Sequence, residues 1–190
     1  PVGPMGIAPE ESFPNTVIDA MASVGKTPKT VAIVTSKFPS VHFVGTGARE
    51  VMKKRGVKEV LFLEYDFGSR DFGPIAARIR DADPDLLFVG AIGLDGNLIL
   101  DALKKLSYAP RNHWYLYPAP GPMVQSPDGR NALVPSAFED HLPFTSTPLA
   151  AELAKSFKER ATKAGLPFAD LESQGAGQFA IWQILEAAVN

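Results

Sequence analysis

Apolar positions along this chain follow two rhythms that take turns. Residues 15–24 carry apolar side chains at helical spacing and stop at Gly25. The segment KTPKTVAIVTS then supplies a short β-branched strand over residues 30–35, followed by the loop KFPS. In residues 42–55, Val44, Ala48, Val51 and Met52 share one helical face, and Gly56 is a natural C-terminal stop. Residues 60–64 return to strand.

The segment RDFGPIAARIRDADPDLLFVG, residues 70–90, compresses the whole cycle. Asp71 predicts an N-cap, and Pro74 fits a first helical turn, whose amides need no intrahelical partner. Phe72, Ile75, Ala76 and Ile79 form one apolar stripe. Asp83-Pro84 ends the helix, because the residue before a proline is pushed out of the helical region. Leu86, Leu87, Phe88 and Val89 are consecutively apolar, the mark of a parallel strand covered on both faces. The run closes on Gly90, which predicts a close approach to the backbone there.

The alternation continues to the end. Residues 93–97 read as a loop, and Ile99, Ala102, Leu103 and Leu106 mark the next helix. Residues 114–117 make a fourth short strand, and the proline-rich stretch 118–130 makes a loop. A fifth strand over 131–137 contains Pro135, which assigns it to a sheet edge. Residues 149–164 and 178–189 are helices. Strands and helices in this order give right-handed βαβ units. The expected fold class is α/β, a doubly wound parallel sheet with helices on both faces.

Composition narrows the partners. The 190 residues are 45% hydrophobic and 21% charged, an ordinary globular balance. A formal net charge of −2 gives no reason to expect a nucleic-acid partner. The absence of cysteine removes disulfides, thiolate metal sites and cysteine nucleophiles together. No apolar run approaches the roughly 18 residues of a membrane span. The opening PVGPMGIAPEE lacks the basic and apolar regions of an export signal and reads as a linker. The expected organisation is therefore a linker over 1–14 and one folded lobe over 15–190. Because QFAIWQILEAAVN stops inside a helical pattern, a fragment of a longer protein is expected.

In doubly wound sheets, ligands bind at the carboxyl ends of the strands. That rule selects the loops 36–40, 90–97 and 117–122. GAIGLDGN spaces Gly90, Gly93 and Gly96 as GxxGxxG rather than the GxGxxG of dinucleotide sites, and VGTGARE places its GxG inside a helical pattern. Tight turns and close helix packing are the competing explanation, with a carboxylate held at a helix N-terminus between the two. His42, His113 and His141 are scattered and lack the spacing of a metal helix. Glu139, Asp140 and His141 read as a solvated turn, and no GxSxG elbow exposes a serine. No catalytic residue, metal or cofactor is therefore expected. Aromatics say more. Phe38 lies in the first loop and Tyr117 ends a strand, positions from which a ring stacks on a ligand.

Three segments together resemble one family: KTVAIVTSKFPS, GAREVMKKRGVKEV and RDFGPIAARIRDADPDLLFVGAIGLDGNLILDALKKL. They are similar to the branched-chain amino-acid (Leu/Ile/Val-binding) type of ABC-transporter solute-binding protein. LAAELAKSFKERATKAGLP and GAGQFAIWQILEAAV resemble that family's later helices. The resemblance covers nearly the whole chain, yet a full member is about twice as long, as two domains require. It implies a type I periplasmic-binding fold whose two α/β lobes close on a small solute, with this chain as the second lobe alone. It also implies export to the periplasm or cell surface, and docking to the membrane permease of an ABC transporter. What approaches Gly90 is then expected to be the solute.

Carried over by position, the implied ligand contacts are Phe38 and Ser40, Ile92 and Gly93, and Tyr117 and Ala119. Amino-acid binders of the family often have tyrosine where Ile92 stands and an acid where Ala119 stands. Ile92 and Ala119 offer no charge to an α-ammonium, and burying an unpaired ammonium costs several kcal/mol. An aromatic or aliphatic carboxylate is therefore expected as solute, with an amino acid second. The alternatives are a ligand sensor of the same fold and a nucleotide-binding α/β enzyme domain.

Overall fold

The computed structural model describes residues 8–116 and 127–189. These form two compact units, 8–135 and 136–189. The division falls inside the span that the sequence reads as one lobe.

The larger unit runs α1 (Pro9–Ser23), β1 (Thr30–Ser36), α2 (Pro39–Lys54), β2 (Lys58–Tyr65), α3 (Gly73–Ala82), β3 (Leu86–Gly90), α4 (Asp95–Lys105), β4 (His113–Tyr115) and β5 (Ala132–Leu133). The strands pair in parallel in the order β2-β1-β3-β4-β5, the α/β sheet expected from the alternation. Every residue of β3, and all of β1 after Thr30, is buried. Val31, Ile33, Leu86 and Phe88 pack against Val17 of α1 and Val44 and Met52 of α2. Ala32, Val34, Leu87 and Val89 pack on the opposite face, against Ile79 of α3 and Ile99 and Leu103 of α4. Two covered faces explain why neither strand alternates apolar with polar.

Boundaries moved where local composition misleads. Helix α1 begins at Pro9, not at residue 15, so part of the linker-like opening is helical. Pro9 suits a first turn, Glu10 and Glu11 complement the helix N-terminus, and Pro14, though interior, is buried with Val17, Ile18 and Met21. Strand β5 shrinks to Ala132–Leu133 and does take the sheet edge. In the diagnostic segment, the N-cap is Phe72 rather than the expected Asp71, whose carboxylate instead accepts the Gly73 amide at 2.9 Å from one residue further out, and Pro74 occupies the first turn. The helix stops as Asp83 turns left-handed (φ 38°) ahead of Pro84.

Asp85 completes that segment. Its carboxylate accepts the amides of Lys29 at 2.9 Å and Thr30 at 3.1 Å, while its own amide donates to Thr30 Oγ1 at 2.9 Å. This reciprocal clamp joins the entries of β1 and β3 just before Val31 pairs with Leu86. Burial opposes the charge, yet the two amides, the Thr30 hydroxyl and Arg111 together hold the carboxyl below its ordinary value.

The smaller unit holds α5 (Pro148–Lys163), α6 (Ser173–Val189) and a single antiparallel bridge between Glu139 and Glu172. Thr147 caps α5 by accepting the Ala150 amide at 3.3 Å. Lys158 on α5 pairs with Asp170 at 2.6 Å and Asp140 at 3.5 Å. Asp140 therefore belongs to a surface ion pair.

Gly90 is approached from within. It pairs in register with Thr35, and a Cβ built on Gly90 would lie 2.6 Å from Thr35 Oγ1. A Cβ on Gly45 of α2 would lie 2.5 Å from the same side chain. The expectation of a solute at Gly90 is thus corrected: the β-branched Thr35 fills that space, with the two glycines making room for it. Gly90→Ala should destabilise the chain by about 1–3 kcal/mol through overpacking. Thr35→Ala, which removes the nearest atom, should restore much of that loss in the double variant. Urea unfolding of the two single variants and the double variant checks the cycle.

Candidate functional site at the sheet switch point

From β1 the chain crosses to β2 on one side, and from β2 it crosses back to β3 on the other. The carboxyl ends of β1 and β3 therefore flank a topological switch point, where open α/β sheets form a crevice. The loop after β1 leads to α2 on one face, and the loop after β3 leads to α4 on the opposite face. Phe38 and Ser40 stand at the first exit, Ile92 and Gly93 at the second. Tyr117 and Ala119 lie outside the described residues.

Each placed residue has local reasons for its position. Phe38 precedes α2 in extended conformation, its amide donating to Ser36 Oγ at 3.2 Å and its carbonyl accepting from Val41 and His42. Ser40 is exposed in the first turn of α2. Ile92 is half-buried and packs against the α1/α2 core, so part of its surface is structural. Gly93 takes a left-handed φ of 58° in the turn before α4. Gly96 leaves room for the Tyr115 ring, 2.9 Å from where a Cβ would sit. The GxxGxxG spacing thus serves turn and packing geometry at each of its three positions.

Sequence reasoning missed a partner for Phe38. The Phe67 ring lies 4.8 Å away, centroid to centroid, and the two residues remain 37% and 58% exposed. Their loops are clipped together by Lys37 Nζ to Asp66 Oδ1 at 2.9 Å and by the Lys37 amide to the Tyr65 carbonyl at 2.8 Å. Phe67 follows β2 as Phe38 follows β1, so the same rule applied to the β2 exit would have found it.

A polar network lies at the same edge. The Tyr65 hydroxyl donates to Asp95 Oδ2 at 3.1 Å. Burial, then the Asp95 charge, pushes the Tyr65 phenol upward. Burial likewise raises the Asp95 carboxyl, an effect the Tyr65 hydroxyl only partly offsets. Loop 90–97 therefore contains an acid that the sequence reading did not weigh, already engaged and reluctant to ionise. Asn97 Oδ1, in the first turn of α4, is buried and has no hydrogen-bond partner among the described residues.

The histidines take separate roles. His42 pairs with Glu64. His113 is buried between the Tyr115 hydroxyl at 3.0 Å and the Arg130 carbonyl at 2.7 Å, and burial depresses its pKa. With Nε2 donating to that carbonyl, Nδ1 is left to accept from Tyr115. His141 Nδ1 donates to the Leu142 carbonyl at 2.8 Å. Among the described residues no group of three or more His, Cys, Asp or Glu side chains could hold a metal ion, and no helix is long and apolar enough to cross a membrane.

The family model described as periplasmic binding protein matches residues 6–190. The chain belongs to that family. A search of curated proteins returns no match. Solved structures share the fold. A solute-binding protein of an ABC transporter from R. palustris, in complex with benzoate, is 17% identical with a TM-score of 0.73, covering 95% of this chain and 47% of that one. An amino acid ABC transporter substrate-binding protein from Pseudomonas fluorescens Pf-5 is 14% identical with a TM-score of 0.70, covering 97% and 49%. A fatty acid ABC transporter substrate-binding protein from Thermomonospora curvata is 14% identical with a TM-score of 0.67, covering 92% and 45%. The chain spans about half the length of the solved relatives it matches.

The raised Asp95 carboxyl has a pH consequence. A carboxyl harder to ionise in the folded state lowers stability as pH rises from its unfolded value of 3.8 through its folded one, and adds no further change above. Asp95→Asn keeps an acceptor for Tyr65 and removes that loss. Thermal melts should show the variant gaining on the parent between about pH 3 and about pH 7. A constant difference across that range would contradict the assignment.

Proposed function

We propose that this chain is part of the extracytoplasmic solute-binding component of an ABC importer, with one wall of the solute site at the β1/β3 switch point. The exposed Phe38–Phe67 pair carries the proposal. A ring pair at the carboxyl edge of a parallel sheet offers a flat apolar surface to a solute, and aromatic contacts favour an aromatic body. Ile92 adds apolar surface. Asp95 is a poor partner for an α-ammonium, because it is occupied by Tyr65 and burial disfavours its charge. These features support an aromatic carboxylate first, an aliphatic carboxylate next and an amino acid last. The solved relatives named with benzoate, fatty acid and amino acid span the same range.

The solute is captured by closure of two lobes and released to a membrane permease that reads the closed form, without covalent chemistry. The setting is the periplasm or the outer cell surface, and nucleic acid has no part in it. Isothermal titration of the full-length protein with benzoate, hexanoate and L-leucine tests the reading. Benzoate should bind tightest, and Phe38→Ala and Phe67→Ala should each weaken it roughly tenfold. Tight leucine binding with no carboxylate binding would sink the assignment.

A further inference from the structure

Strands β2 and β3 are not neighbours, because β1 runs between them. Backbone pairing therefore cannot tie the exit of β2 to loop 90–97, which follows β3. A side chain does so instead. Tyr65, the last residue of β2, reaches across β1 and donates its hydroxyl to Asp95 Oδ2 in the first turn of α4, at 3.1 Å. The brace spans the switch point itself.

Its position on the strand sets it apart. Leu61 and Leu63 precede Tyr65 on the same face of β2 and pack into the α3/α4 core with no polar atom. Tyr65 is 5% exposed, and its ring meets the buried Phe72 edge-on at a centroid distance of 5.2 Å. Phenylalanine would serve that packing equally well. A hydroxyl buried at this depth costs free energy unless it is bonded, and the bond to Asp95 is what it adds.

Tyr65 also governs the β1 exit. It pairs in register with Ser36, and its carbonyl accepts the Lys37 amide at 2.8 Å. Ser36 is fully buried two residues beyond Val34, on the phenol's side of the sheet. Its hydroxyl acts on the phenol oxygen and accepts the Phe38 amide at 3.2 Å. Asp95, for its part, donates its amide to the Ile92 carbonyl at 3.3 Å. One residue thereby connects the segments that carry Phe38, Phe67 and Ile92.

We propose that Tyr65 is a positioning residue of the switch-point wall, bracing loop 90–97 against the β1 and β2 exits and so holding the Phe38–Phe67 ring pair and Ile92 in one surface. The coupling of the exits rests on these contacts alone, whereas its effect on affinity rests on the solute-binding reading.

Residue-resolved amide hydrogen exchange of the full-length protein, without solute, tests the coupling. Tyr65→Phe should speed exchange of the Lys37, Phe38 and Asp95 amides roughly tenfold, the scale of one lost hydrogen bond. The Lys29 and Thr30 amides, held by Asp85 at the opposite edge, should keep the parent's rates. Equal acceleration at both edges, or none at Phe38, overturns the proposal. Asp95→Ala should reproduce the Tyr65→Phe pattern, while Asp95→Asn, which keeps an acceptor, should retain the parent's. Identical Ala and Asn patterns also overturn it, and this contrast decides if Tyr65→Phe does not fold. Calorimetry supplies the affinity. Tyr65→Phe should weaken benzoate about fivefold in the parent and clearly less in a Phe38→Ala background. Equal losses in the two backgrounds overturn the positioning role. A parent that binds no solute defeats the solute-binding reading, and exchange still decides the role of Tyr65.

Discussion

The pairing of β1 with β3, buried on both faces, is the constraint from which the rest of the larger unit follows. Two adjacent parallel strands with apolar side chains up and down need cover on both sides, so consecutive helices must divide between the faces. Here α1 and α2 take one face and α3 and α4 the other. The exits of β1 and β3 then lead in opposite directions, and the switch point opens between them. Thr35 shows how tightly this is packed. It sits where Gly45 and Gly90 both omit a side chain, bringing α2 down onto the strand pair. The candidate site is a consequence of that geometry, and the loops decorate it.

Local chemistry was legible and long-range chemistry was not. The Asp71, Pro74 and Asp83-Pro84 signals in residues 70–90 act within one turn of the chain, and the helix and strand they bracket appear where the pattern puts them. Gly90 is the counterexample. Its glycine signals a close approach, but the visitor is Thr35, 55 residues earlier, and only strand register brings them together. The proline-rich opening failed for a different reason. Burial of Pro14 with Val17, Ile18 and Met21 outweighs local helix propensity, as tertiary contacts routinely do. Phe67 was missed because the β2 exit is not among the three loops selected from the sequence, and only the folded loops bring its ring against Phe38.

Asp85 and Asp95 show how placement decides the meaning of a carboxylate. Both lose solvation, yet Asp85 receives two backbone amides, a hydroxyl and a nearby guanidinium, and is held in its charged form. Asp95 receives one phenol and is pushed toward neutrality. The first is a structural clamp at the entry edge of the sheet. The second lies at the exit edge, where an acid in the sequence would ordinarily suggest a cation partner. Counting acids near a site is therefore a poor guide to the charge a solute meets there.

The exit edge combines an exposed aromatic pair with a polar floor that is nearly self-sufficient. Lys37 and Asp66 satisfy each other, His42 and Glu64 satisfy each other, and Asp95 is engaged by Tyr65. What remains for a solute is mainly ring surface and the apolar surface of Ile92. Surface of that kind binds weakly when one side stays open to water, because apolar area gains free energy only as it is removed from solvent. A wall built this way is useful when something closes over it. On the proposed solute-binding reading, recognition and closure are one event, since the same desolvation that holds the solute also drives closure.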